Sequence, residues 1–137
     1  MTSIITALSE ISGQYDAMFV DLWGCVHNGV TAYPDAVAAL QAYRDAGGTV
    51  VLVTNSPRAR DRVERQLKSF DVPDECWDTI ATSGDSARAA MFRGMVGEKV
   101  YYIGPDNDLK FFDPLSIIED PVEIAREGMA ATADADV

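Results

Sequence analysis

The chain has 137 residues, with 22 Asp and Glu against 11 Lys and Arg, for a formal net charge of -11. This balance argues against nucleic acid, because a phosphate backbone must be neutralised by clustered basic residues; the densest group here, Arg58, Arg60, Arg62 and Arg65, falls at helical spacing as a solvated face. At 47% hydrophobic and 24% charged the chain resembles one globular domain, and no apolar run nears the ~20 residues of a membrane helix.

In chain order, short β-branched runs alternate with longer segments of helical period, the signature of βαβ units and hence of an α/β fold with a parallel sheet. Ile4, Ile5, Leu8 and Ile11 share one face of a short opening helix that Ser3 can cap. Nothing basic precedes Gln14, so this start lacks the positive end of a signal peptide, and the expected compartment is the cytoplasm. Residues 17–22 form the first strand, continuous in apolar side chains up to Asp21, as in strands covered on both faces. A long turn from Trp23 through Gly29 leads to a helix opened by Pro34, carrying Val37, Leu40 and Tyr43 and ending at Gly47 and Gly48. The second strand is Thr49–Thr54. Ser56 then caps a helix with Pro57 in its first position, continued by Val63, Leu67 and Phe70.

Residues 71–78 read as a loop, 79–81 as a brief extended piece, and about 83–92 as a helix. A third substantial strand is expected over 99–103, closed by Gly104 and Pro105. Beyond it, 106–112 suits a short helix, 122–126 is ambiguous, and 130–137 is small and acidic. The only cysteines, Cys25 and Cys76, read as reduced thiols in so acidic a chain.

Two strand ends carry candidate chemistry, since ligands of open α/β sheets bind at the carboxyl ends of strands. Asp21 closes an apolar strand, where a carboxylate can act as a nucleophile, bind a metal, or simply start the turn. Thr54-Asn55-Ser56 closes the next strand ahead of a helix N-terminus, an arrangement suited to phosphate; helix capping by Ser56 alone accounts for the same residues. Zinc would need three or four ligands at usable spacing, and Cys25 with His27 supplies two. Neither a Gly-x4-Gly-Lys-Ser/Thr loop nor Gly-x-Gly-x-x-Gly occurs, so nucleotide binding of those kinds has no support.

Taken together, Phe19-Val-Asp21-Leu-Trp-Gly24, Gly29, Tyr33-Pro34, Val51-Leu-Val-Thr54-Asn55-Ser56 and Thr82-Ser83-Gly84 resemble the haloacid dehalogenase-like superfamily, specifically its class IIA, NagD-like sugar phosphatases. The resemblance runs to about Gly104 and implies a three-layer Rossmann-like core. It also implies that Asp21 is the nucleophile and a Mg²⁺ ligand, that the Trp23 backbone carbonyl is a second ligand, that Thr54 and Asn55 hold the phosphoryl group, and that Gly24 allows the turn beneath it. The implied substrate is a small phosphorylated metabolite. Two departures stand out. The family's phosphatases carry a second aspartate, the general acid, where this chain has Trp23; His27 can donate a proton instead, because imidazole titrates near neutrality, or it faces solvent as a turn residue. The family's later Lys and acidic motifs, and its cap, find no counterpart, so residues 1–137 correspond to the N-terminal portion of a core.

The expectation is therefore a Mg²⁺-dependent phosphatase in a longer form, this chain alone being inactive. The alternative is a non-catalytic phosphate- or metal-binding module. A receiver-like domain is disfavoured, because only Asp16 precedes the acceptor where an acidic pair is needed. Loss of the later strands would expose a sheet edge of the kind that recruits another chain, so self-association is expected.

Overall fold

Alternation along the strands decides which side of the sheet becomes core. The computed structural model describes residues 4–97, 101–105 and 111–112. Among these, β1 (Ala17–Asp21), β2 (Thr49–Thr54) and β3 (Thr79–Thr82) pair in parallel in the order β1-β2-β3. The register sets Met18 opposite Val50, and Val20, Leu52 and Ile80 in one row. Because side chains alternate along a strand, this row lies on one face, and there Val50, Leu52 and Ile80 are buried.

That face is covered by α2 (Pro34–Asp45) through Leu40 and Tyr43, and by α3 (Arg60–Ser69) through Val63 and Leu67. Each fully buried aliphatic side chain contributes about 1.5–3 kcal/mol. Tyr43 satisfies its hydroxyl by donating to the Tyr15 carbonyl at 2.6 Å, which ties α2 to the entry of β1. Asp78 anchors the opposite corner: its carboxylate accepts from the Val50 N–H at 2.8 Å and pairs with Arg44 of α2. The 3-10 turn Asp74–Cys76 packs Cys76 and Trp77 beneath the same helix. Both cysteines are free thiols.

The second face is different. Phe19, on that side of β1, is 78% exposed and Val53 39%, so the expectation that both faces of the first strand are covered is met on one face among the described residues. β1 also stands at the edge of the described sheet.

The expected elements 34–45, 49–54 and 83–92 are present, the last as α4 (Ser83–Phe92). Three expectations need correction. The opening helix, α1, spans only Ser9–Ser12 and leaves Ile4 in solvent; its expected cap, Ser3, lies outside the described residues. The helix after β2 starts at Arg60 rather than Pro57, with Ala59 as its N-cap residue. Residues 101–103 carry no strand. Lys99, Val100 and the segments 106–110, 122–126 and 130–137 also lie outside the described residues. No described helix is long and apolar enough to cross a membrane.

Candidate active site

Asp21 ends β1 and its register partner is Val53, so Thr54, the last residue of β2, stands one step further along the neighbouring strand at the same rim of the sheet. Parallel pairing thus brings the two candidate residues to one end, while alternation places their side chains on opposite faces of the sheet.

On the β1 side the chain turns on itself at once. The Leu22 carbonyl accepts from the N–H groups of Val26 at 2.9 Å and His27 at 3.1 Å, and Gly24 donates back to the His27 carbonyl at 2.8 Å. Gly24 has φ +81°, a region that costs other L-residues strain. Leu22 and Val26 are buried, which fixes this loop to the core. Asp21 Oδ1 accepts from the Leu22 N–H at 2.8 Å, leaving its second oxygen directed elsewhere.

Trp23 is 62% exposed, and its indole meets the His27 ring edge-on at a centroid distance of 5.7 Å. His27 does not face solvent: it is 4% exposed, with Phe70 of the α3 end on its other side at 5.1 Å. Its Nδ1 accepts from the Gly29 N–H at 3.0 Å, so a neutral ring carries its proton on Nε2. Burial pushes the His27 pKa down, and the Asp21 carboxylate pulls in the opposite direction. A neutral imidazole held in this way is a poor proton donor.

On the β2 side, Thr54 is 9% exposed. Its Oγ1 accepts from the Ser56 N–H at 3.2 Å, which leaves the hydroxyl proton available to donate outward. Ser56 Oγ in turn accepts from the Arg58 N–H at 3.2 Å and so organises the loop instead of capping the helix. Asn55 is exposed at the rim. The first N–H of α3, that of Arg60, already donates to Asp85 Oδ2 at 3.0 Å, and Pro57 has no N–H to offer. The phosphate-suited donors on this strand end therefore include the Thr54 hydroxyl and the backbone beside it, while the Arg60 N–H at the helix N-terminus is already taken.

The third strand end contributes a group of residues that sequence reasoning left without a role. Thr82 Oγ1 caps α4 by accepting from the Asp85 N–H at 2.9 Å. Ser83 Oγ lies 2.8 Å from the Asn55 carbonyl and 3.0 Å from that of Ser56, and Gly84 N–H donates to Ser56 at 3.1 Å. The signal was present, since Thr followed three residues later by an acidic residue is a capping pattern. What it could not disclose was that the Asp85 carboxylate reaches across to the neighbouring helix.

Mg²⁺ takes hard oxygen ligands, commonly one or two from carboxylates with the rest from water and substrate phosphate. The second oxygen of Asp21 and the Trp23 carbonyl, to which no described N–H donates, are oxygens of that kind two residues apart. As a donor set they match the hard-oxygen preference of Mg²⁺. Among the described residues no three His, Cys, Asp or Glu side chains gather as a fuller metal site.

Residues 18–117 match the family described as haloacid dehalogenase-like hydrolase. The crystal structure of a hydrolase of the haloacid dehalogenase-like family from Brucella suis 1330 superposes with a TM-score of 0.73 at 37% identity, covering 88% of this chain and 44% of that one. The chain thus spans less than half the length of that protein. No curated protein matches it. A family match over most of the chain, a parallel α/β core and the Asp21 and Thr54 strand ends agree, and the chain belongs to the haloacid dehalogenase-like hydrolases.

Proposed function

We propose that this chain carries the nucleophile half of a Mg²⁺-dependent phosphatase acting on a small phosphorylated metabolite in the cytoplasm. The observation that supports it is the convergence of Asp21 and Thr54 on one rim of a parallel sheet. In this reading the Asp21 carboxylate attacks phosphorus, the bond to the leaving oxygen breaks, and water then hydrolyses the aspartyl phosphate. Thr54 donates its hydroxyl proton to a phosphoryl oxygen, and the backbone at Asn55 adds a second contact. Gly24 lets the chain turn away beneath the site. Asp21 and the Trp23 carbonyl would hold Mg²⁺, which when bound offsets the charge on the phosphoryl oxygens.

The test is hydrolysis of p-nitrophenyl phosphate with Mg²⁺ by protein containing this chain. Asp21→Asn is expected to lower turnover at least about a thousandfold with an unchanged melting curve; equal activity would move the chemistry elsewhere. A second reading, a phosphate-binding module without turnover, is favoured by Trp23, which can exchange no proton, and by the buried, neutral His27. Trp23→Asp separates the two. It should raise turnover about 10²-fold if only the acid is missing, whereas a module would stay silent.

A further inference from the structure

The loop between β2 and α3 is held from outside by the first turn of α4. Its Asn55 and Ser56 carbonyls both face Ser83 Oγ, which shares one proton between them, and Gly84 N–H adds a second bond to Ser56. A peptide's N–H points away from its carbonyl. Turning the Asn55 carbonyl toward α4 therefore aims the Ser56 N–H at Thr54 Oγ1, the bond observed at 3.2 Å. That bond occupies a lone pair of the hydroxyl and leaves its proton as the outward donor.

Two further contacts lock the arrangement. A Cβ on Gly84 would run into the backbone oxygens of Pro57 and Arg58, so only glycine permits this approach. The Asp85 carboxylate accepts from the first N–H of α3 while its own N–H is held by Thr82. One short segment thus ties the ends of β2, β3, α3 and α4 together.

We propose that Ser83 and Asp85 are positioning residues that fix the 55–58 loop and, through the Ser56 N–H, aim the Thr54 hydroxyl at the bound phosphoryl group; this rests on the phosphatase reading. The geometry assigns them no contact with substrate. Their effect is on the direction of a donor, and misplacing a reacting or binding group by about 1 Å can cost about 10²-fold in rate.

Two readouts test the proposal, amide exchange on this chain and kinetics on the longer protein that contains it. Amide hydrogen exchange follows the loop without any need for turnover: Ser83→Ala should speed exchange at Ser56 and Arg58 at least about tenfold while the amides within β2 keep their protection. Unchanged exchange at those two amides overturns the clamp. Kinetics with p-nitrophenyl phosphate follow its consequence. Ser83→Ala and Asp85→Asn should each lower kcat about 10- to 100-fold with KM moved by less than about threefold, and Ser83→Thr should restore kcat. Loss of rate explained wholly by a lower fraction of folded protein, or no rescue by threonine, also overturns it. If that longer, unsubstituted protein shows no turnover dependent on Asp21, the phosphatase reading has failed. Inorganic phosphate is then the probe, and its protection of the Ser56 amide must vanish in Ser83→Ala for the positioning role to stand.

Discussion

The two loops at the rim of the sheet are built on opposite principles. The turn after β1 closes on itself: three N–H groups converge on the Leu22 carbonyl, Gly24 bonds back to His27, and Asn28 Oδ1 accepts from Val30 and Thr31. The loop after β2 has only two short internal bonds, at Ser56 and Arg58, and takes the rest of its order from residues about 25–28 positions further along the chain. The Asp21 side is therefore set by local sequence, and the Thr54 side by packing. Substitutions on the first should act where they are made, and those on the second should spread.

Gly84→Ala is the strongest challenge to this contrast. Its Cβ meets backbone atoms that cannot swing aside, so we expect a loss of about 2–3 kcal/mol in urea unfolding, with the 55–58 loop disturbed and the 22–29 turn intact by amide exchange. An equally disturbed 22–29 turn would break the comparison.

His27 sharpens it from the other side, through pH. Its pKa is lowered in the folded chain by burial, so the unfolded chain takes up the proton first. The stabilisation from the neutral ring is whole above about pH 6.5 and is lost as pH falls through that value toward the folded pKa. Unfolding midpoints at about pH 7.5 and pH 5.5 should converge in His27→Gln relative to the unsubstituted chain. A histidine whose variant leaves the difference unchanged is not the titrating group.

The smallest effect belongs to the open face and edge of β1, outside both loops. Phe19 is exposed there on the edge strand of the described sheet, and we expect the chain to self-associate at tens of micromolar through this edge. Phe19→Ser should return it to monomer in sedimentation while changing stability by no more than about 0.5 kcal/mol. A clean monomer before substitution would remove the edge from consideration.

The sequence displayed what local chemistry specifies and hid what distant packing adds. The run Thr-Val-Val-Leu-Val-Thr, the Pro34 start and the helix after Thr82 are present as expected, because strand propensity, a proline at the first helical position and a hydroxyl cap each act within a few residues. Asp21 and Thr54 could be assigned to one end of the sheet because both close a strand that feeds a helix. The start of α3 was misplaced because Ser56 bonds Arg58 within the loop, while the carboxylate that receives the helix's first N–H comes from Asp85. His27 could be read as a proton donor or as a turn residue in water, and the packing of Phe70, 43 positions later, against its ring was not legible in the sequence. The expected strand over 99–103 rested on propensity alone, and its described residues, 101–103, pair with nothing in the sheet.

Ser83 gripping two carbonyls nearly thirty positions behind it also dates the assembly of the rim. Contacts of long sequence separation form only after the intervening loop has been closed entropically. As the chain is synthesised, the turn carrying Gly24 and His27 has all its backbone partners once Tyr33 has emerged. The Asn55 loop must wait for β3 and the first turn of α4. The surroundings of Asp21 are in this sense an early product of folding and the ordered loop beside Thr54 a late one, so a nascent chain can present Asp21 well before the Thr54 side of the rim is in place.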